Sequence, residues 1–168
     1  MSFFPLIGYA PDADQTLIGV LTNASGVVPS IKGLKGAPSP ADTGMASLAG
    51  TCMGAALLVE LDNATRLIAG TSDKLYEAGS STWSDVSRAA TYTTAATGRW
   101  RFAQQGNVSF AANGADTIQA SVTGAFSCIA GAPAASIVEV VNKFVFAINT
   151  TTNAHGVQWA ALGDYTSW

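Results

Sequence analysis

From Gly54 onward the apolar positions come in short runs separated by turn residues, the pattern of antiparallel strands. Ala55–Leu61 and Thr65–Gly70 flank Asp62-Asn63, a two-residue hairpin signal. Lys74–Ala78 and Trp83–Ser87 flank Gly79-Ser80-Ser81, completing a four-stranded meander. A second set follows as Arg99–Gln104, Val108–Asn113, Thr117–Val122 and Phe126–Ala130, with Gly106-Asn107, Asn113-Gly114 and Gly124 in its connections. A third has three strands, Ser136–Val141, Phe144–Asn149 and Val157–Leu162. Within Arg99-Trp-Arg-Phe-Ala-Gln the alternation exposes the arginines and buries Trp100 and Phe102. Phe144-Val-Phe-Ala-Ile is apolar throughout, which predicts an inner strand covered on both faces.

The sets repeat. Leu67-Ile-Ala-Gly-Thr-Ser-Asp-Lys-Leu75-Tyr aligns with Phe110-Ala-Ala-Asn-Gly-Ala-Asp116-Thr-Ile118-Gln at an offset of 43 residues, with Asp73 on Asp116 and Leu75 on Ile118. A strand-rich repeat of about 40 residues is the mark of a β-propeller blade. The fold expected is all-β: antiparallel four-stranded blades of a partial propeller over residues 54–88, 98–131 and 136–168, the last blade incomplete. A β-sandwich of about eleven strands is the competing all-β reading. The expected blade core is Leu75, Trp83, Trp100, Phe102, Phe110, Ile118, Phe144, Phe146 and Trp159, because aromatics recurring per blade fill the space between blades. A sugar-stacking site would use the same residue type, exposed. Asp73 and Asp116 are expected to serve a repeated turn by capping backbone N–H groups.

Residues 1–50 differ from 51–168. They hold five of the six prolines, and their apolar residues fall in short clusters such as Phe3-Phe4, Leu17-Ile18 and Val27-Val28. Proline breaks long strands, so this stretch reads as an extended arm, with Phe3, Phe4, Leu6, Ile7 and Tyr9 as contact residues. A meandering loop packed on its own domain is the equal alternative.

Charge sharpens this picture. Only 11% of the 168 residues are charged and 48% are hydrophobic, against roughly 25% charged in ordinary soluble domains. Such a surface suits packing against other protein. A net charge of −3, with basic residues no denser than Lys32/Lys35 and Arg99/Arg101, argues against nucleic acid as the main partner. The longest apolar run, Ala55–Val59, is far short of a membrane span of about 20 residues. Cys52 and Cys128 stand in no motif and are expected as small buried thiols.

Candidate chemistry is sparse. The single histidine, His155, lies in a polar turn with no ligand-spaced partner, so zinc and Cys–His catalysis lack support. No nucleophile elbow, phosphate loop or dinucleotide fingerprint occurs. Glycoside hydrolysis needs two opposed carboxylates, and Glu60, Glu77 and Glu139 do not suggest a pair. No enzyme activity, cofactor or metal is expected.

An ordered series of segments spans nearly the whole chain: Pro5-Leu-Ile-Gly-Tyr-Ala-Pro-Asp, Val28-Pro-Ser-Ile-Lys-Gly-Leu-Lys-Gly-Ala-Pro38, Ala69–Tyr76, Trp100–Gly106, Ala112–Asp116, Gly131-Ala-Pro, Asn142-Lys-Phe-Val and Val157–Trp168. On this series the chain resembles propeller-type tail and head–tail accessory proteins of tailed bacteriophages, such as tail-hub and stabilisation proteins. The resemblance implies a structural, non-enzymatic virion protein present in several copies, whose partners are copies of itself and other virion proteins. Its place would be the virion, assembled in the host bacterial cytoplasm. A carbohydrate- or receptor-binding module of a phage tail is the alternative. In such proteins the corresponding segment usually begins a longer chain that completes its propeller, so this chain is expected to be a piece of one, or else to be completed by partner chains.

Overall fold

The computed structural model describes residues 8–9, 12–13, 20–21, 25–30, 33–39 and 44–168, and the chain divides into two compact units, 1–43 and 44–168. In the first unit, β1 (Gly8–Tyr9) pairs in parallel with β2 (Val20–Leu21), and β3 (Val27–Ser30) pairs antiparallel with β4 (Gly33–Gly36). Of the expected arm contacts, Phe3, Phe4, Leu6 and Ile7 lie outside the described residues, and Tyr9 falls in β1.

The second unit is a stack of three antiparallel meanders. Its first sheet runs β5 (Gly54–Val59), β6 (Thr65–Gly70), β7 (Leu75–Ala78), β8 (Trp83–Asp85). The second runs β9 (Arg101–Gln105), β10 (Val108–Ala112), β11 (Gln119–Ser121), β12 (Ser127–Cys128). The third has β13 (Ala135–Val141), β14 (Phe144–Thr150) and β15 (Asn153–Trp159). All eleven strands expected from the sequence are present, and the described residues contain no helix.

Turn chemistry accounts for the hairpins. Gly106-Asn107 closes β9–β10 in two residues, with positive φ at the glycine as a type II′ turn requires. Asn142 and Lys143 both take positive φ between β13 and β14, the type I′ pattern. The Asp62-Asn63 hairpin is longer than expected. The Asn63 amide donates to Glu60 O and the Glu60 amide to Ala64 O, so the loop spans Leu61-Asp62-Asn63 with Asn63 left-handed. That is the three-residue turn with a bulge, and the Asp62 carboxylate secures it by accepting the Ala64 amide at 2.9 Å.

Alternation along β10 explains why the sheets stack. Ser109 and Ala111 face the first sheet, whereas Phe110 and Ala112 face the third. The interface between the first two sheets buries Leu58, Ile68 and Leu75 against Trp100, Ala111 and Phe126. The interface between the second and third buries Phe110, Ile118 and Ala120 against Val138, Val145 and Ala147. Within the second unit the middle sheet thus has a sheet over both faces, and each outer sheet has one over a single face.

One close approach fixes the first interface. Gly54 and Gly70 are register partners in β5 and β6, and a Cβ on either would run into Trp100. The two glycines leave a flat slot for the indole, which is 3% exposed and donates Nε1–H to Thr71 O at 2.7 Å. Tyr92 meets the ring edge-on at 4.9 Å.

The repeat is real, but the offset between its copies changes by one residue at the turn between the second and third strands. Val86 donates its amide to Leu75 O, and Ile129 donates to Ile118 O in the same way, so the 43-residue offset holds from Leu75 onward. Before the turn the equivalent pair is Ile68 and Phe110, each buried against the following sheet, at an offset of 42. The second turn carries one extra residue. Aligning Leu67 with Phe110 therefore pairs a half-buried residue of the outer face with a core residue.

Candidate interaction surfaces

Polar side chains in the stack serve mainly to clasp sheets together. Arg66, nearly buried on β6, pairs with Glu77 on β7 through Nε (2.9 Å) and Nη2 (2.8 Å). Its remaining donors cross to the second sheet, reaching Ser109 and Ser121 Oγ and the carbonyls of Val122 and Gly124 at 3.3–3.4 Å. The guanidinium is thereby saturated, and the hydrogen bond with Glu77 is the main reason its pKa lies above the ordinary value. Glu77 is a structural partner in this arrangement.

A second cluster ties the 86–100 connection to the second sheet. Arg88 donates to Asp116, to the carbonyls of Ala90 and Thr91 and to Cys128 Sγ, and it lies over the Tyr92 ring at 4.8 Å. Burial opposes ionisation of Asp116, but donors from Asn113, the Thr93 amide and Arg88 outweigh it and hold the carboxyl below its usual range. Burial lifts the Tyr92 phenol to about 12. For Cys128, burial is likewise outweighed, by Gln119 and Arg88, and the thiol is lowered. Both cysteines are exposed rather than buried, because Cys128 ends the edge strand β12 and Cys52 precedes β5.

The repeated aspartates do not share one role. The turn caps are Thr71, whose Oγ1 accepts the Lys74 amide, and Asn113, whose Oδ1 accepts the Ala115 and Asp116 amides. Asp73 accepts from Thr71 and Ser72 hydroxyls, while Asp116 takes the Arg88 ion pair. Thr71 and Asn113 stand 42 residues apart, the offset of the preceding strands.

Among the expected core residues, Leu75, Trp100, Phe110 and Ile118 are buried, and Trp83, Phe102, Phe144 and Phe146 are half-buried. Trp159 is 58% exposed. The reason is parity. Trp159 pairs with Phe146 and Phe146 with Glu139, all on the side of the third sheet that faces away from the stack. That side also carries Ile137, Val141, Phe144, Ile148 and Val157. Phe144, Phe146 and Trp159 form a row of rings about one contact apart, 6.2 Å between successive centroids. The expectation that β14 is covered on both faces fails for this reason: Val145 and Ala147 are buried, but no sheet among the described residues lies over Phe144, Phe146 and Ile148.

The first sheet ends the stack in the same way. Its outer side presents Leu57 (63% exposed), Val59 and Ala55, with Leu67 and Tyr76 half-buried beside them. At the β8 edge Trp83 donates its indole N–H to Ala46 O at 3.0 Å. Among its described residues the second unit thus has two apolar sheet faces, one at each end of its stack. Ala55-Ala-Leu-Leu-Val59 signals the first of them, since a strand apolar on both parities has no side built for water.

Among the described residues no three His, Cys, Asp or Glu side chains form a metal-holding group, and no helix is long and apolar enough to cross a membrane. A scan against protein-family models finds no match, and neither does a search of curated proteins.

Proposed function

We propose that this chain is a structural protein of a tailed-bacteriophage particle, a tail or head–tail component without enzymatic activity, whose three sheets act as consecutive blades of a β-propeller-like body. The observation that carries the reading is the pair of apolar faces at opposite ends of the stack. A soluble monomer rarely exposes contiguous apolar patches of this kind, and they mark protein–protein contacts. The low charge fits the same role, because large contacts then form without stripping water from many ions. Its work is adhesion between neighbouring virion proteins, including copies of itself, with residues 1–50 as an arm.

The test is quantitative peptide mass spectrometry on purified particles of the phage that encodes the chain. Several copies per particle are expected, together with cross-links from Trp159-proximal peptides to other virion proteins. Absence from particles, with the chain found only in the infected-cell lysate, would contradict the reading.

One observation favours the second reading, a carbohydrate-binding module. Exposed Trp159 and half-buried Trp168 border a cleft with Gln158 and Gly131, and aromatic rings beside an amide suit a sugar face. Glycan-array binding lost in Trp159→Ala would favour it over the structural role.

A further inference from the structure

We infer that residues 88–94 form a strap latched over the ends of the first two sheets, and that Asp116 is its acid-sensitive catch. The device is independent of the virion reading and of what covers the outer faces.

Length singles the strap out. Residues 86–100 join β8 to β9, whereas 129–134 suffice for the equivalent step from β12 to β13. Val86 and Ile129 hold matching places where the two connections start. A connection longer than about 12–15 residues with no strand or helix of its own is uncommon in a compact domain and usually functional.

The strap runs across both repeated turns. Tyr92 and Thr94 donate their amides to the carbonyls of Asp73 and Ser72 in the first turn, at 3.0 Å each. On the second turn side chains hold it. Asp116 accepts the Thr93 amide at 2.9 Å, the Thr93 hydroxyl at 3.4 Å and the Arg88 guanidinium. Asn113 donates to the same carboxylate at 2.8 Å and to Thr94 Oγ1 at 3.1 Å. Beneath the strap, Tyr92 is buried edge-on against Trp100, and its hydroxyl accepts the Arg88 amide.

One carboxylate therefore collects an ion pair, an amide and a hydroxyl from the strap. The sheets beneath are held by backbone ladders, which carry no titratable group. The titratable groups facing Asp116 are Arg88 and Tyr92 of the strap and Cys128 of β12. From the first turn the strap takes only carbonyls, and the Asp73 carboxylate turns to Thr71 and Ser72 instead. In mild acid Arg88 stays charged and Tyr92 stays neutral, which leaves the Asp116 carboxylate to take up the proton.

The direction follows from linkage. Closure holds the Asp116 carboxyl below its ordinary value of about 3.9, so it favours the closed strap above that value. The advantage is lost as pH falls through the closed-state value. A protonated Asp116 no longer pairs with Arg88, and the strap lifts while the ladders stay intact. Lifting uncovers the Trp100 edge and the ends of both turns.

The experiment is hydrogen exchange of the full chain, read by mass spectrometry at pH 6 and pH 3 as protection relative to the unfolded chain. In the wild type the 88–98 peptide should lose protection by about tenfold or more at pH 3, the effect of losing a hydrogen bond to a charged group. β10 and β14 should keep theirs. Asp116→Asn should leave the peptide equally open at both pH values. Asp73→Asn, in the first turn, and Cys128→Ser should keep the wild-type response, since neither removes the catch. Chymotrypsin at neutral pH gives a second reading. It should cut Asp116→Asn after Tyr92 about ten times faster than the wild type, with Trp100 and Phe110 left uncut. A peptide that stays protected at pH 3, or that opens only together with β10, overturns the inference. So does an acid response that survives in Asp116→Asn or vanishes in Cys128→Ser. If Asp116→Asn fails to fold, the wild-type series decides alone, by whether the strap opens before β10.

Discussion

The middle and third sheets are built from similar material and meet opposite fates. β10 reads Val-Ser-Phe-Ala-Ala and β14 reads Phe-Val-Phe-Ala-Ile-Asn-Thr. In β10 every residue after Val108 is buried, Ser109 and Ala111 packed under the first sheet and Phe110 and Ala112 under the third. In β14 only the Val145 and Ala147 side has a sheet over it. The residues do not decide this difference; the neighbours do. A strand apolar on both parities suits burial on both faces, and among the described residues only one face of β14 has a sheet over it.

Several changes break or sharpen that contrast. The largest effect is expected at the centre of the stack. Phe110→Ala should cost about 3–5 kcal/mol, as for a fully buried aromatic, whereas Phe146→Ala on the outer face should cost well under half of that. Urea denaturation of the two variants measures the gap, and equal losses would mean the outer face is already covered within the chain.

Next comes the clasp between the first and second sheets. Arg66→Ala leaves Glu77 without its cation and Ser109 and Ser121 without their shared donor. The loss expected is about 3 kcal/mol, the low end for breaking a buried pair because Glu77 keeps some access to water. The double variant Arg66→Met with Glu77→Leu should recover most of it.

A smaller effect is visible in pH. The Tyr92 phenol ionises near pH 10 in an unfolded chain and at about 12 in the fold. Between those values the unfolded chain has lost a proton that the folded chain keeps, so stability falls as pH rises. The melting temperature should drop across pH 10–12, and Tyr92→Phe should flatten that drop. Asp116 acts at the other end. Its depressed pKa contributes stability above the unfolded value of about 3.9, lost as pH falls through the folded value. Asp116→Asn should remove part of the acid sensitivity.

The smallest effect is expected at the outer face. Trp159→Ser should change the stability of the dilute, monomeric chain by no more than about 0.5 kcal/mol, the range of ordinary surface changes. A larger loss would mean that Trp159 is already packed within the chain.

The strand order was legible because turn chemistry is local: Gly106-Asn107, Gly79-Ser80-Ser81 and Asn113-Gly114 mark hairpins whatever packs around them. The repeat was legible for a related reason, but its register was not. A single extra residue between Ala112 and Ile118 moves Phe110 from one face to the other relative to a fixed offset, and strand parity turns on one residue. The core aromatics divided along the same line. Trp100 finds its slot because Gly54 and Gly70 pair across two strands, a coincidence of register that no linear pattern displays. Arg66 was invisible for another reason. Its partners Ser121 and Gly124 lie more than fifty residues away. Cys128 went astray because small apolar residues are usually buried, while an edge strand exposes whatever it carries.

The central claim is that the outer sheet faces are interfaces awaiting a partner. Hydroxyl-radical footprinting of the tryptophans, at low and high protein concentration, tests it most directly. Trp159 should react fast when dilute and become as protected as Trp100 when concentrated. A Trp159 that stays reactive at every concentration would contradict the claim.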